Sequence, residues 1–286
     1  NKGFNEIRET RELIDDVRYD YGARKWYIPM LSNPVQFNTD EYKDIVIPPY
    51  VMGCLLGDGS LTGNSDIQFI SSDPEVVNIM NEEVKDVAKF TTYSNKYKYG
   101  IEYDQKSDKN KYEAEIKKYD MGVSSYNKHI PDKYKYGSPE VRHAILQGVM
   151  DIDGTFHESV ARFMSASKQL VEDVQEIVWS LGGSCKISDY VISHIHKGEN
   201  KKGRKLWELC MRLPEEFSPF RLDRKMEKVK NLQNRKPYRS IESITYTGKK
   251  EAQCIQVSAE DSLYVTDDYI LTHNTIECIA SIHHED

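Results

Sequence analysis

The sequence predicts an α+β fold built from a duplicated unit that interrupts a second, β-rich unit, and three observations predict it. Strand-like and helical segments alternate through the middle of the chain. One helix-and-turn pattern recurs at a fixed offset of 95 residues, as Gly53, Asp58 and Gly59 and again as Gly148, Asp153 and Gly154. Strand-rich pieces too short to fold alone stand at both ends. With 286 residues, 38% of them hydrophobic, the chain is long enough for two compact domains.

The elements follow in order. Residues 1–47 read as a short helix and then extended pieces, Trp26-Tyr27-Ile28-Pro29 and Pro34-Val35-Gln36-Phe37, and no unit closes within that length. Pro48 and Pro49 punctuate the chain before an apolar, Gly-containing helix from Tyr50, which sets a boundary there. DIQFIS then reads as a strand, PEVVNIMNEEVKDVAKF as an amphipathic helix, KYKYGIEYD as a strand and KNKYEAEIKKYDMG as a helix. The second copy repeats the plan, with MSASKQLVEDVQEIVWSLGG answering ISSDPEVVNIMNEEVKDV as strand end, Ser-rich turn and helix. Residues 48–235 therefore form an insertion. Residues 236–274 are β-rich (SIESITYTG, EAQCIQVSA, SLYVTDDYILTHN) and must pack on the orphaned strands of 1–47, leaving 275–286 as a final stub.

Charge and composition narrow the function. The formal charge of −7 speaks against nucleic acid as a partner, but Ala161–Ser240 holds 17 Lys/Arg against 10 Asp/Glu. One stretch is basic and the rest acidic, the trace of a localised anion-binding surface or of a solvated face. No run approaches 18 apolar residues, so no membrane span is expected. Five cysteines without a CxxC pair argue against a disulfide framework or zinc ribbon and for a reducing, intracellular setting.

The repeated Asp-Gly carries the chemistry. An Asp in a helix's last turn faces the negative end of the macrodipole at a cost of about 0.3–1 kcal/mol. Both copies place one there, Asp58 and Asp153. If the helices pack side by side, Gly53, Gly57 and Gly148 permit close approach and the two carboxylates emerge at one edge. Such a pair suits Mg²⁺, and carboxylate-held metals serve phosphodiester hydrolysis. One Asp-Gly alone reads as a turn; duplication at a fixed offset favours the paired site. His194 and His196 share one face of a strand and are either surface residues or, with Cys185 or Cys210, metal ligands.

The segments VMGCLLGDG (Val51 to Gly59) and LQGVMDIDG (Leu146 to Gly154) resemble the nine-residue motifs of two-motif, single-chain LAGLIDADG homing endonucleases. HIPDKYKYGSPEVRHAILQGVMDIDGTF resembles the family's lead into its second motif and SPFRLDRK its closing segment. The resemblance implies two pseudo-symmetric αββαββα halves joined at the motif helices, with their sheets in the major groove of double-stranded DNA. It implies that Asp58 and Asp153 bind Mg²⁺ for double-strand cleavage, with Gly57 and Ile152 beside the metal, and that a lysine polarises water near each acid. By position those lysines are Lys118 and Lys205. Ile152 stands where the first copy has Gly57, which leaves the second helix less room. Lys96, Lys98, Tyr190, His194, His196 and Lys197, with Arg204 and Lys205, are the DNA-contacting candidates, or belong to ordinary amphipathic strands. The alternative is a DNA- or RNA-binding module of this family without cleavage.

The tail ends in His273-Asn274-Thr275. An Asn can cyclise on its own carbonyl, a preceding His can assist, and a following hydroxyl can act as nucleophile. CIQVSAEDSLYVTDDYILTHN resembles the two C-terminal splicing blocks of inteins, and KWYIPMLSNPVQF the segment joining a splicing half to an endonuclease insert. The resemblance covers residues 1–274 and implies a hedgehog/intein-type β fold, with Asn274 cyclising, His273 assisting, Thr275 as first extein residue and no cofactor for splicing. Cys254 and Ser262 replace the acid and His usual in the first of those blocks. Residue 1 is Asn, not Cys or Ser, and no Thr-x-x-His block follows, so the expected partner is an N-terminal intein fragment. The stub suits the helix after the phosphate loop of a phage terminase or helicase ATPase, in the cytoplasm of a bacterial or phage-infected cell.

Overall fold

The computed structural model describes residues 9–28, 30–61, 67–93, 95–158, 160–196, 199–230, 238–249, 251, 255–260 and 262–273. They divide into two compact units: the described parts of Asn1–Ser32 with Tyr238–Asp286, and those of Asn33–Pro237. In chain order the first unit opens with helix α1 (Thr10–Leu13) and strand β1 (Tyr27–Ile28). The second unit then runs α2 (Pro49–Asp58), β2 (Gly59–Ser60), β3 (Gln68–Ile70), α3 (Pro74–Val84), β4 (Ala88–Thr92), β5 (Lys98–Tyr103) and α4 (Lys106–Lys118). After the short α5 (Asp132–Lys135) the plan repeats as α6 (Pro139–Asp153), β6 (Gly154–His157), β7 (Val160–Ser165), α7 (Lys168–Ser180), β8 (Ser184–His196), β9 (Glu199–Arg212) and α8 (Asp223–Lys230). The chain returns to the first unit with β10 (Arg239–Ser240), β11 (Leu263–Val265) and β12 (Leu271–His273).

Both copies are thus αββαββα, and their antiparallel sheets have the same order, β2-β3-β5-β4 and β6-β7-β9-β8. Local chemistry repeats too. Asp73 caps α3 through the Glu75 N–H at 3.0 Å, and Ser167 caps α7 through the Leu170 N–H at 3.2 Å, which is the turn chemistry both Ser-rich segments encode. Pro49, Pro74 and Pro139 open their helices where a missing N–H costs nothing. Each sheet buries one face. Phe69, Phe90 and Ile101 in the first and Ala161, Phe163, Leu209 and Met211 in the second point into one core with α2, α3, α6 and α7. Alternate residues face away, as the period of two demands.

The sheets differ in reach. β8 and β9 run 13 and 14 residues, against 5 and 6 for β4 and β5, with an irregularity between Val191 and Ser193.

In the first unit, β1 pairs antiparallel with β10, Tyr27 opposite Ser240 and Ile28 opposite Arg239, so the chain on either side of the 33–237 unit is joined. β11 and β12 form a hairpin. The expected extended run Pro34–Phe37 is no strand. Val35 instead donates its N–H to Ser180 O at 2.9 Å and accepts from the buried Arg142, whose guanidinium stacks on Phe37. The strands expected in SIESITYTG beyond Ser240 and in 255–257 are likewise irregular, because among the described residues no neighbouring strand takes up their backbone groups. No helix among the described residues is long and apolar enough to cross a membrane.

Candidate active site at the ends of two packed helices

α2 is buried on nearly all sides from Tyr50 to Leu56, and it lies against α6 glycine to glycine. A Cβ added at Gly53 would stand 2.3 Å from Ile145 O and 2.9 Å from the Gly148 Cα; one at Gly148 would stand 2.2 Å from Tyr50 O. Backbone thus meets backbone, and no side chain fits there. One turn on, the copies differ. A Cβ at Gly57 would fall 2.4 Å from Cγ2 of Ile152, so the missing side chain of the first helix makes room for the extra bulk of the second.

The close approach brings the final residues of both helices together. Asp58 and Asp153 each end their helix, followed by Gly59 and Gly154, whose N–H groups cap Leu55 O and Met150 O. Both glycines have negative φ; a side chain is excluded because its Cβ would lie 2.4 Å from the same carbonyls. The two aspartates keep an open side to solvent. Partial burial pushes the Asp58 carboxyl up, with Lys128 opposing. Burial and then the Asp58 charge push Asp153 up to about 6, against Lys128 and Lys225. Two like charges at one edge make this a site short of positive charge.

Two lysines serve it. Lys128 donates to Leu56 O at 2.7 Å and Gly57 O at 2.6 Å, the open carbonyls at the end of α2. Lys225 donates to Met150 O, Asp151 O and Gly154 O at 2.8, 2.8 and 2.7 Å, at the end of α6. Burial lowers both, Lys225 to about 8, while the aspartate charges hold them up. An ammonium at a helix C-terminus also meets the negative end of the dipole. Asp151, 2% exposed, braces this end: it accepts from Tyr50 Oη at 2.8 Å and from the Arg221 and Leu222 N–H groups at 3.1 and 3.4 Å. Burial pushes its carboxyl up.

Lys128, Lys225 and Asp151 escaped the sequence reading. The lysines stand 97 residues apart, close to the 95 of the acids, and a search of the repeat for matched cations finds them. The expected Lys118 and Lys205 are engaged elsewhere: Lys118 lies over the Tyr119 ring, and Lys205 pairs with Asp189 at 3.1 Å and lies over Trp207. Of the residues expected at the metal, Gly57 offers its carbonyl to Lys128, and Ile152 packs its side chain on Gly57.

Among the DNA-contacting candidates, Lys98 opens β5 over the Tyr93 ring, and Lys96 lies over Tyr97 in the preceding turn. Tyr190 on β8 hydrogen-bonds Glu208 on β9, and Arg204 stacks on Tyr126. The backbones of His194 and His196 pair opposite Lys201 and Glu199. Nine residues of strand, about 30 Å, separate His194 from Cys185, which rules out a shared metal site. Lys197, Asn274, Thr275 and Cys254 lie outside the described residues; His273 ends β12 opposite Leu263.

No family model matches the chain. It is 25% identical over 285 residues to the replicative DNA helicase DnaB of Mycobacterium intracellulare, across 95% of this chain and 42% of that protein, so it spans less than half of the relative's length. Solved structures of the homing endonuclease I-DmoI are similar to part of it. One, in complex with DNA and Ca, gives a TM-score of 0.35 at 15% identity over 59% of this chain and 83% of that one. Another, of mesophilic variants, gives 0.35 at 15% over 58% and 84%.

Proposed function

We propose that this chain is a LAGLIDADG-type DNA endonuclease carried inside a protein-splicing element, cutting both strands of a double-stranded site with Mg²⁺. The observation that carries the reading is the convergence of Asp58 and Asp153 at the ends of two glycine-packed helices, each end bearing its own lysine. Among the described residues no group of three or more His, Cys, Asp or Glu could hold a metal ion. Mg²⁺ does not need one: it takes one or two carboxylates and fills its shell with water and substrate phosphates. The raised carboxyls of Asp58 and Asp153 fit that role, since a divalent cation relieves their repulsion. Bound there, Mg²⁺ would supply a Lewis acid and a more acidic water.

The chain's own groups do the rest. Asp58 and Asp153 hold the ion between the halves. Lys128 and Lys225, fixed on helix-end carbonyls, set positive charge beside the acids, where charge develops on the phosphate. Thr155, Arg162, Cys210 and Lys186 share one row across the sheet face turned from the core, a surface suited to DNA phosphates. The test is linearisation of plasmids carrying randomised inserts and an uninterrupted helicase phosphate-loop sequence, in Mg²⁺ and in EDTA. Linear product in Mg²⁺ that disappears with Asp58→Asn plus Asp153→Asn is expected; cutting that survives the double change overturns the active site. Salt-sensitive binding without cutting would instead leave the non-cleaving DNA- or RNA-binding module.

The splicing part rests on the His273-Asn274-Thr275 tail and on the β1–β10 pair that joins the chain around the insertion. The partial match to a replicative helicase favours a helicase over a terminase as host, in a bacterial or phage-infected cytoplasm. Supplying an N-terminal intein fragment should release residues 275–286, read by intact mass. Retention of that mass, or its release from Asn274→Ala, would refute cyclisation at Asn274.

A further inference from the structure

We propose that each acid–lysine pair is assembled by the opposite half of the molecule. Ser167 and Asp173 of the second half are positioning residues for Lys128, and Asp73 and Glu75 of the first half are positioning residues for Lys225. The consequence for strand cleavage rests on the function proposed above; the assembly itself does not.

Lys128 follows the first half, and its ammonium serves α2, yet its backbone hangs from α7. Ser167, fully buried, donates its hydroxyl to Lys128 O at 2.6 Å while capping α7. Asp173, 2% exposed, accepts the Ile130 N–H at 2.8 Å, and its other oxygen takes Lys135 Nζ at 3.2 Å and Gln169 Nε2 at 3.0 Å. Ile130 is itself core. The Lys128–Ile130 stretch is therefore held at both ends by the second half, and the lysine side chain crosses from there to Leu56 and Gly57 of the first.

The other site is the mirror case. Lys225 follows the second half and serves α6, but its segment is tied to α3. Asp223 donates its N–H to Glu75 at 2.8 Å, and Arg224 grips Asp73 at 2.6 and 3.0 Å. α3 and α7 hold the same place in the two copies, so the exchange is reciprocal. The two anchors are not equally stiff. Asp173 is closed off from water, whereas Arg224 is 58% exposed, and screened pairs hold less firmly. Loss of the Asp173 anchor should free Lys128 more than loss of the Arg224 anchor frees Lys225.

The full chain is compared with Asp173→Asn, Ser167→Ala and Arg224→Met in two readouts. The first is acylation of each lysine amine by acetic anhydride, resolved by residue with mass spectrometry. Asp173→Asn and Ser167→Ala should raise Lys128 labelling on the order of ten-fold and leave Lys225 unchanged, Ser167→Thr should restore it, and Arg224→Met should raise Lys225 alone and by less. The second is strand-resolved cleavage of a selected target. Asp173→Asn should slow one strand's cut by about 10- to 100-fold, giving nicked product at unchanged DNA affinity. Equal labelling changes at both lysines, or none at either, overturn the proposal. If the parent chain cuts neither strand, the endonuclease reading fails and labelling alone decides the assembly. If Asp173→Asn loses its cooperative melt, the Ser167 pair decides.

Discussion

Asp153→Asn should stabilise the metal-free protein while removing its function. The folded carboxyl stands at about 6 against an ordinary 3.8, chiefly from burial and then from the Asp58 charge. Two pKa units correspond to about 3 kcal/mol. Because the side chain keeps a solvent-exposed side, roughly half of that survives screening, about 1.5 kcal/mol. Between 3.8 and about 6 the native state binds more protons than the unfolded state, so stability falls as pH rises through this window. Asn lacks the ionised form and escapes the penalty. In EDTA at pH 7.5 the variant should melt about 3–6 °C above the parent, at about 2–4 °C per kcal/mol for a unit of this size. The gap should shrink as pH drops through 6 and nearly vanish near pH 4. Millimolar Mg²⁺ should raise the parent's melting temperature and narrow the gap, since a ligand that binds only the native state stabilises it. Calorimetry at the two pH values, with and without Mg²⁺, gives the answer. A variant that melts lower than the parent, or whose gap is the same at pH 4 and 7.5, refutes the charge-crowding account.

Three other outcomes are expected. Gly148→Ala places a Cβ 2.2 Å from Tyr50 O, a backbone atom that cannot swing aside. It should cost about 1–3 kcal/mol in denaturant melts and lower cutting of both strands together. Gly57→Ala drives a Cβ into Ile152, so it should destabilise alone and be rescued by Ile152→Ala; a double-mutant cycle with coupling under about 0.5 kcal/mol would deny that the two residues share one space. Lys225→Met leaves three carbonyls at the end of α6 without their donor and should slow one strand's cut by about 100-fold. In the parent the same cut should fade as pH rises through about 8, where Lys225 loses its proton; a flat profile to pH 10 would remove the ammonium from the reaction.

The sequence made the repeat legible because its signal is local. Asp-Gly after an apolar helix, a Ser- or Asp-capped second helix and two strands recur with little drift, so the αββαββα order and the meeting of Asp58 with Asp153 could be read without a structure. Long-range partners carry no such mark. Lys128 lies 71 residues beyond the Gly57 carbonyl it donates to, and Lys225 the same 71 beyond Gly154, so neither is near its acid in the chain. Proximity in sequence favoured Lys118 and Lys205, which face other groups. The terminal strands were overread for a different reason: a β-branched run in SIESITYTG has strand propensity, but a strand exists only where a neighbour takes its backbone bonds.

What the fused duplication permits is visible where the copies disagree. In a symmetric pair of identical helices, residue 57 would face its own kind across the axis. Two isoleucines would collide there, because even the Cβ of an alanine at 57 would come within 2.4 Å of Ile152; two glycines would leave the space Ile152 now fills. One chain can hold Gly57 against Ile152 and pack the axis fully. The sixth motif position diverges in the same way: Leu56 joins the core in the first copy, while Asp151 in the second takes the Tyr50 hydroxyl and the backbone that leads to Lys225. The asymmetry leaves the glycine crossing and both acids untouched. A sequence that kept Gly53, Gly148, Asp58 and Asp153 was therefore free to let each half acquire its own lysine mounting, one buried and one exposed, and so to tune two strand cuts separately from a single shared edge.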